Sequence, residues 1–259
     1  MKSLFPYVGG KHRVAGKLIR LFPEHSCYVE VFGGALNILL NKPKLKSEVI
    51  NDVNRDLVNI FRVIRFHPDE FHKELILMTH SRQEYNDALD QPGLTDVQRA
   101  ARFWYRLKTT FGGTGVQGHR NFHFGSTGSG GFKPAAWDTV LQAHERLAGV
   151  IIENDDFAAV LRRYDREFVF FFCDPPYWQA ADYGRPFTWQ DHQRLEQCLR
   201  EIKGKFMLTI NDHPDIRKLY AGLPLMVVKV QYSISRDKSA TARERNELII
   251  TNYRLPRRC

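Results

Sequence analysis

The run Phe168-Val169-Phe170-Phe171-Phe172-Cys173 leads directly into Asp174-Pro175-Pro176-Tyr177. A short block of β-branched and aromatic residues that ends at Asp-Pro predicts a buried strand, stopped where proline removes the backbone donor. In open α/β sheets, ligands sit at such carboxyl ends of strands. The tetrapeptide therefore places a carboxylate, a carbonyl on a residue with no N–H, and a flat phenol at a candidate active-site edge. Two acceptors beside a stacking ring suit a planar ligand bearing an –NH2 group, such as a nucleobase. The same four residues also make an ordinary strand-ending turn, so the surrounding chain has to decide.

A chain of 259 residues suits one large domain, or one domain carrying an insert. Its net charge of +9 favours an anionic partner, nucleic acid before a membrane surface. Cys27, Cys173, Cys198 and Cys259 are scattered and form no Cys-x-x-Cys pair, so no metal or redox motif is expected. Cys27 and Cys173 adjoin expected strands as small hydrophobes, and a reducing, cytoplasmic setting follows. No apolar run approaches membrane-spanning length.

Pro6-Tyr7-Val8-Gly9-Gly10-Lys11 precedes an expected helix from His12 to Leu21. Its glycines either present amides to an anion or simply turn the chain. A triphosphate P-loop is excluded, because five residues separate Gly10 from Gly16-Lys17 and Leu18 replaces the metal-binding hydroxyl. Cys27–Phe32 predicts the first strand, Gly33-Gly34 a turn, and Ala35–Leu40 the start of a helix. This is the geometry that lets a cofactor approach backbone closely. Glu48-Val49-Ile50 predicts a second strand ending at Asn51-Asp52. Asp52 lies about 20 residues past the glycines, where an acid bonds ribose hydroxyls. It can equally cap a helix over Asn54–Arg65.

Beyond His67-Pro68 the pattern becomes mostly helical until about Ala148 and reads as an insert. Ala100, Phe103, Trp104, Leu107 and Phe111 form an apolar stripe that belongs to a core. Arg99, Arg102 and Arg106 share another face. From Val97 to Trp137 there is no acid but six cations, with His119 and His123 among them. That one-sign stretch points to a phosphate-contacting surface. The Gly, Ser and Thr residues of Phe111–Phe132 cannot pack a core and suit a loop that orders on a ligand.

Val150-Ile151-Ile152 predicts the next strand. Asp155, Asp156 and Phe157 at its end either meet an adenine or cap the helix Ala158–Tyr164. Tyr183–Phe187 predicts a loop over the site, and Thr188 with Asp191 a capped helix to about Ile202. Phe206–Asn211 is a further strand, and Asp212-His213-Pro214 starts a short helix to Tyr220. Leu225–Val230 and Asn246–Thr251 predict late antiparallel strands, separated by a basic loop over Ser235–Arg245.

In this order and spacing, the motifs at 6–11, 28–35, 51–54, 155–157, 174–177, 187–195, 208–214 and 247–252 resemble the Dam-like DNA adenine N6-methyltransferases, most closely the compact prophage-type members. The resemblance implies an α/β fold: a Rossmann-like, S-adenosylmethionine-dependent methyltransferase sheet with a mostly helical inserted DNA-recognition domain. Residues 1–66 and 149–259 would form the catalytic domain, and 67–148 the target-recognition insert. Catalysis would fall to Asp174, Pro175, Pro176 and Tyr177. S-adenosylmethionine would contact Tyr7, Gly9, Gly10, Lys11, Glu30, Phe32, Gly33, Gly34, Asp52, Asp156, Phe157 and Asp174. Contacts to double-stranded DNA would come from Lys11, Arg99, Arg102, Arg106, Arg120, His123 and Arg185.

The resemblance calls for no metal and no membrane. It places the protein in a bacterial or phage-infected cytoplasm, as an expected monomer, with a restriction endonuclease as a conceivable partner. Leu36 stands where the family's Phe-x-Gly-x-Gly pattern often has its last glycine. Its side chain either crowds the cofactor or packs the helix. Two other functions stay open at this point: a catalytically silent DNA-binding homologue, to which Leu36 alone points, and methylation of amino groups on RNA or protein.

Overall fold

The computed structural model describes residues 3–7, 9–110, 118, 122–123, 132–179, 186–231 and 244–255. Its centre is a seven-stranded sheet. In chain order the strands are β1 (Cys27–Glu30), β2 (Ser47–Asn51), β3 (Ile151–Glu153), β4 (Val169–Cys173), β5 (Lys205–Asn211), β6 (Leu225–Gln231) and β7 (Glu244–Thr251). In space they run β3-β2-β1-β4-β5-β7-β6. The first five are parallel, and β7 enters antiparallel to both β5 and β6.

The apolar runs fix this arrangement because β1 and β4 are buried along their whole length. Alternate residues of β4 serve opposite faces, as the period of a strand requires. Phe170 and Phe172 join one core with Tyr28, Ile50, Met207 and Ile249. Phe171 and Cys173 join the other with Val29, Leu208, Ile210 and Leu248.

Helices cover both faces. On the first lie α2 (Arg55–Phe66), α3 (Pro68–Leu77), α5 (Asp96–Lys108) and α6 (Trp137–Arg146). The stripe Ala100, Phe103, Trp104 and Leu107 is buried there as core, while Phe111 lies outside the described residues. Between α3 and α5, α4 (Arg82–Asp90) packs Tyr85 and Ala88 against Tyr105. The second face carries α7 (Phe157–Tyr164), α8 (Trp189–Glu201) and α9 (Pro214–Leu219). Thr188 and Asp191 form the expected capping box of α8, and Thr95 with Gln98 does the same for α5. Among the described residues no helix is long and apolar enough to cross a membrane.

Several boundaries differ from the sequence reading, β1 among them, which ends at Glu30 rather than Phe32. The first helix, α1, covers only Ala15–Ile19, because residues 12–14 form a turn. Strand β7 starts at Glu244, two residues ahead of Asn246, since pairing with β6 runs out to Gln231. Ala35–Leu40 is not a helix. Leu36 sits at φ 52°, a left-handed conformation that breaks a helical run. Separate turns replace it, with Leu36 N–H donating to Gly33 O and Leu40 N–H to Leu36 O. The fully buried Leu36 side chain packs into the first core and so offsets the backbone cost.

One buried charge cluster ties the helical segment 68–146 to the sheet. Glu48 on β2 accepts from Lys42 Nζ at 2.6 Å and from both terminal nitrogens of Arg146, at the end of α6, at 2.5 and 2.9 Å. Burial alone would push the Glu48 carboxyl up, but the bonds from Arg146, Lys42 and Leu45 N–H outweigh it and hold it below the usual range. A depressed carboxyl stabilises the fold above its unfolded pKa, and that contribution is lost as pH falls through the folded value. Glu48→Ala strands two buried cations. It is expected to cost about 3–5 kcal/mol in urea unfolding at neutral pH, with the gap to wild type closing in acid.

Candidate active site

The carboxyl ends of β1, β2 and β4 open into a cavity of about 480 Å³, within the usual range for a cofactor pocket. Its wall begins at the glycine turn after β1. Gly33 N–H donates to Asn51 O at 2.7 Å. A Cβ on Gly33 would lie 3.0 Å from that oxygen and 3.1 Å from Leu36, so the close approach of the turn to β2 requires glycine here. Gly34, at φ 50°, donates its N–H to Asp52 Oδ2 at 2.9 Å. The other Asp52 oxygen accepts from Asn54 N–H at 2.8 Å. Asn54, not Asp52, caps α2, accepting from Asp56 and Leu57 N–H. Asp52 thus buckles the glycine turn to β2 while lining the cavity.

Glu30, at the end of β1, is 2% exposed and lines the same wall. Its Oε2 accepts from Tyr28 Oη at 2.8 Å and from Leu39 N–H at 2.9 Å. Burial pushes its carboxyl up to about 8, against the lowering effect of those two bonds. Opposite, Phe32, Phe157 and Phe187 stand with ring centroids 5.7 to 5.8 Å apart. Asp156 caps α7 through Ala158 N–H and is gripped by both terminal nitrogens of Arg194, at 2.8 and 3.1 Å. Asp156 therefore caps the helix, as one sequence reading has it, and also lines the cavity.

Asp174, Pro175 and Pro176 form the rim where this cavity meets the end of β4. Lys11, only 4% exposed, reaches in from the N-terminal loop. Its Nζ lies 2.7 and 2.9 Å from the two Asp174 oxygens, 2.8 Å from Tyr177 Oη and 3.1 Å from Gly9 O. Thr209 on β5 donates to Asp174 Oδ1 at 2.7 Å. Glu247 on β7, 2% exposed, is hydrogen-bonded to Tyr177. Burial raises the Glu247 carboxyl, and the Lys11 charge offsets part of that.

All twelve residues expected at a cofactor, namely Tyr7, Gly9, Gly10, Lys11, Glu30, Phe32, Gly33, Gly34, Asp52, Asp156, Phe157 and Asp174, line this one cavity. Arg194, Thr209 and Glu247 fall within the family-like stretches 187–195, 208–214 and 247–252, but the sequence assigns no role to them or to Asn37. Asn37 lines the cavity 6% exposed, and among the described residues its Oδ1 has no hydrogen-bond partner. Leu36 points into the core and is not on the cavity wall. That removes the one feature favouring a silent homologue.

The cations expected on DNA are dispersed. Arg99 pairs with Asp56 and Asp96 at 3.3 and 3.1 Å. Arg102 donates to the Gln91 carbonyl, and the Arg106 guanidinium lies 5.4 Å from the Phe103 ring centre. His123 is exposed, and its backbone N–H donates to Thr109 O at 2.8 Å. Arg120 and Arg185 lie outside the described residues, as does most of the glycine-rich loop. Among the described residues no cluster of His, Cys, Asp or Glu could hold a metal ion.

Residues 7–234 match the D12 class of N6 adenine-specific DNA methyltransferases. The chain belongs to this family. It is 27% identical to a DNA N-6-adenine-methyltransferase of Escherichia phage P1 over 85% of its own length, and spans 31% of that longer relative. It is 26% identical to the type II methyltransferase M1.LlaDCHI of Lactococcus lactis subsp. cremoris, covering 98% of this chain and 96% of the relative. A DNA adenine methylase of Vibrio cholerae is 25% identical over 91% of each chain.

The buried acid of β1 yields a test. Between the ordinary carboxyl pKa and about 8, folded Glu30 holds a proton that the unfolded chain has released. Stability must therefore fall as pH rises through that window. Glu30→Gln keeps an oxygen for Tyr28 and Leu39 without the titration. Thermal melts from about pH 5 to about pH 8 should show a shallower decline for the variant than for wild type.

Proposed function

We propose that this protein is a site-specific DNA methyltransferase that modifies the exocyclic amine of an adenine extruded from duplex DNA, with S-adenosylmethionine as donor. The observation that carries this reading is that Asp174-Pro175-Pro176 and the glycine turn border one cavity. Among the described residues six aspartates line it, Asp52, Asp56, Asp155, Asp156, Asp174 and Asp191, against Lys11, Arg55 and Arg194, while Glu30 beside them holds its proton. In a chain of net charge +9, such a wall selects a cationic ligand.

The residues fit S-adenosylmethionine. Gly33 and Gly10 stand where a Cβ would press on Asn51 O and on Asn37, so only glycine keeps these turns of the wall close-packed, and among the described residues the buried Asn37 Oδ1 has no donor. Asp52 is placed for ribose hydroxyls, and Phe32, Phe157 and Asp156 for an adenine. When bound, the cofactor supplies an electrophilic methyl carbon.

The rest of the chemistry belongs to the chain. Lys11 and Thr209 occupy part of the acceptor capacity of Asp174. A carboxylate has about four lone-pair positions, so room remains for one N6–H of the target. The Pro175 carbonyl accepts the other. These two bonds draw the N6 lone pair out of conjugation with the ring, a gain made of orientation and fixed charge. Extrusion costs roughly a few kcal/mol, and stacking on Tyr177, about 1–3 kcal/mol, offsets part of it. Residues 67–148 serve target recognition within a catalytic domain of 1–66 and 149–259, with His123 and the arginines of the insert, Arg120 included, meeting the DNA and Arg185 joining from the loop at the site.

Incubation of the protein with tritiated S-adenosylmethionine and duplex DNA should place label in N6-methyladenine, with RNA and protein competitors unlabelled. Label on cytosine or on protein alone would refute the reading. Asp174→Ala should abolish transfer yet bind duplex in a gel shift as wild type does. Tyr177→Ala should also bind but turn over roughly ten- to a hundredfold more slowly.

A further inference from the structure

The ammonium of Lys11 has three hydrogens, and the site accounts for them: Gly9 O, the Asp174 carboxylate and Tyr177 Oη. Because the Tyr177 oxygen accepts from Lys11, the phenol's single proton must leave in another direction. The buried Glu247 carboxyl, on the strand next to β5 and in hydrogen-bonding reach of Tyr177, is an acceptor placed to take it. Glu247 stands in register between Asn211 of β5 and Val228 of β6, followed by the apolar residues Leu248, Ile249 and Ile250. A carboxyl buried in a sheet is costly unless bonded, and an apolar residue of similar volume would serve the core as well or better. Stability therefore does not account for its presence.

We propose that Glu247 is a positioning residue for methyl transfer. By taking the Tyr177 proton it leaves the phenol oxygen free to accept from Lys11, and so fixes both the ring against which the base rests and the ammonium that orients Asp174. The inference rests on the methyltransferase reading and adds a residue to it. Glu247 touches neither the base nor the donor in this scheme, and acts through Tyr177.

The test is steady-state methylation of duplex DNA by the full chain. Glu247→Gln retains an oxygen for the Tyr177 proton and should keep kcat within about threefold of wild type. Glu247→Leu removes it and should lower kcat roughly a hundredfold, the scale of a small misplacement at the reacting centre, with KM for the cofactor nearly unchanged. Tyr177→Phe, which keeps the ring but not the hydroxyl, should lose as much, and adding Glu247→Leu to it should cost nothing further. Should Glu247→Leu fail to fold, Tyr177→Phe with intact duplex binding carries the comparison. Wild-type kcat in either single variant, or losses that simply multiply in the double variant, would overturn the role of Glu247. So would Glu247→Gln being as impaired as Glu247→Leu. A wild type that modifies no adenine would overturn the underlying reading along with it.

Discussion

One buried ammonium holds the active-site edge together. Lys11 and Asp174 lie 163 residues apart in sequence and 2.7 Å apart in space. Taking such ions out of water costs several kcal/mol each, so the pair survives only because every hydrogen of the ammonium and both oxygens of the carboxylate find partners. The contact also seats the N-terminal loop over the cavity. A few residues earlier the same loop is anchored by Phe5, whose ring packs 5.1 Å from Trp104 and 6.2 Å from Phe61. The lining glycines at 9 and 10 are therefore pinned from both sides, by an ion pair and by a core.

Charge is distributed on two scales. The chain as a whole is basic, which suits a polyanion, while the cavity behind Asp174 is acidic. A phosphate is repelled by that wall and a cation is not. On the proposed reading, a polyanion and a cationic donor are thereby drawn to different parts of the surface. Internal pairing tempers both fields. Arg194 neutralises part of Asp156 and Asp191, and Arg99 is partly quenched by Asp56 and Asp96.

The parallel strands were legible because each is a short apolar block ended by a polar or proline residue. The capping boxes of α5 and α8 lie within four residues, where local rules operate. Ala35–Leu40 was not legible: its composition favours helix, but burial of Leu36 in the core imposes a left-handed turn. In the site, Asp174–Tyr177 announced itself by sequence alone. Thr209 and Glu247 could not, because each is a single polar residue in an apolar strand. Its meaning depends on which strand lies next to β4 and which beyond, and that order is a property of the sheet. Lys11 was visible as a cation beside glycines, but its partner was not.

The antiparallel β7 slots between β5 and β6 and brings Glu247 to Tyr177 from the far end of the polypeptide. During synthesis on the ribosome the glycine turn, the proline pair and the phenol all emerge well before this strand does. The lining of the cavity thus precedes in the chain the strand that brings Glu247. The edge is complete only once β7 lies between β5 and β6, so its geometry depends on the antiparallel end of the sheet as well as on the parallel core.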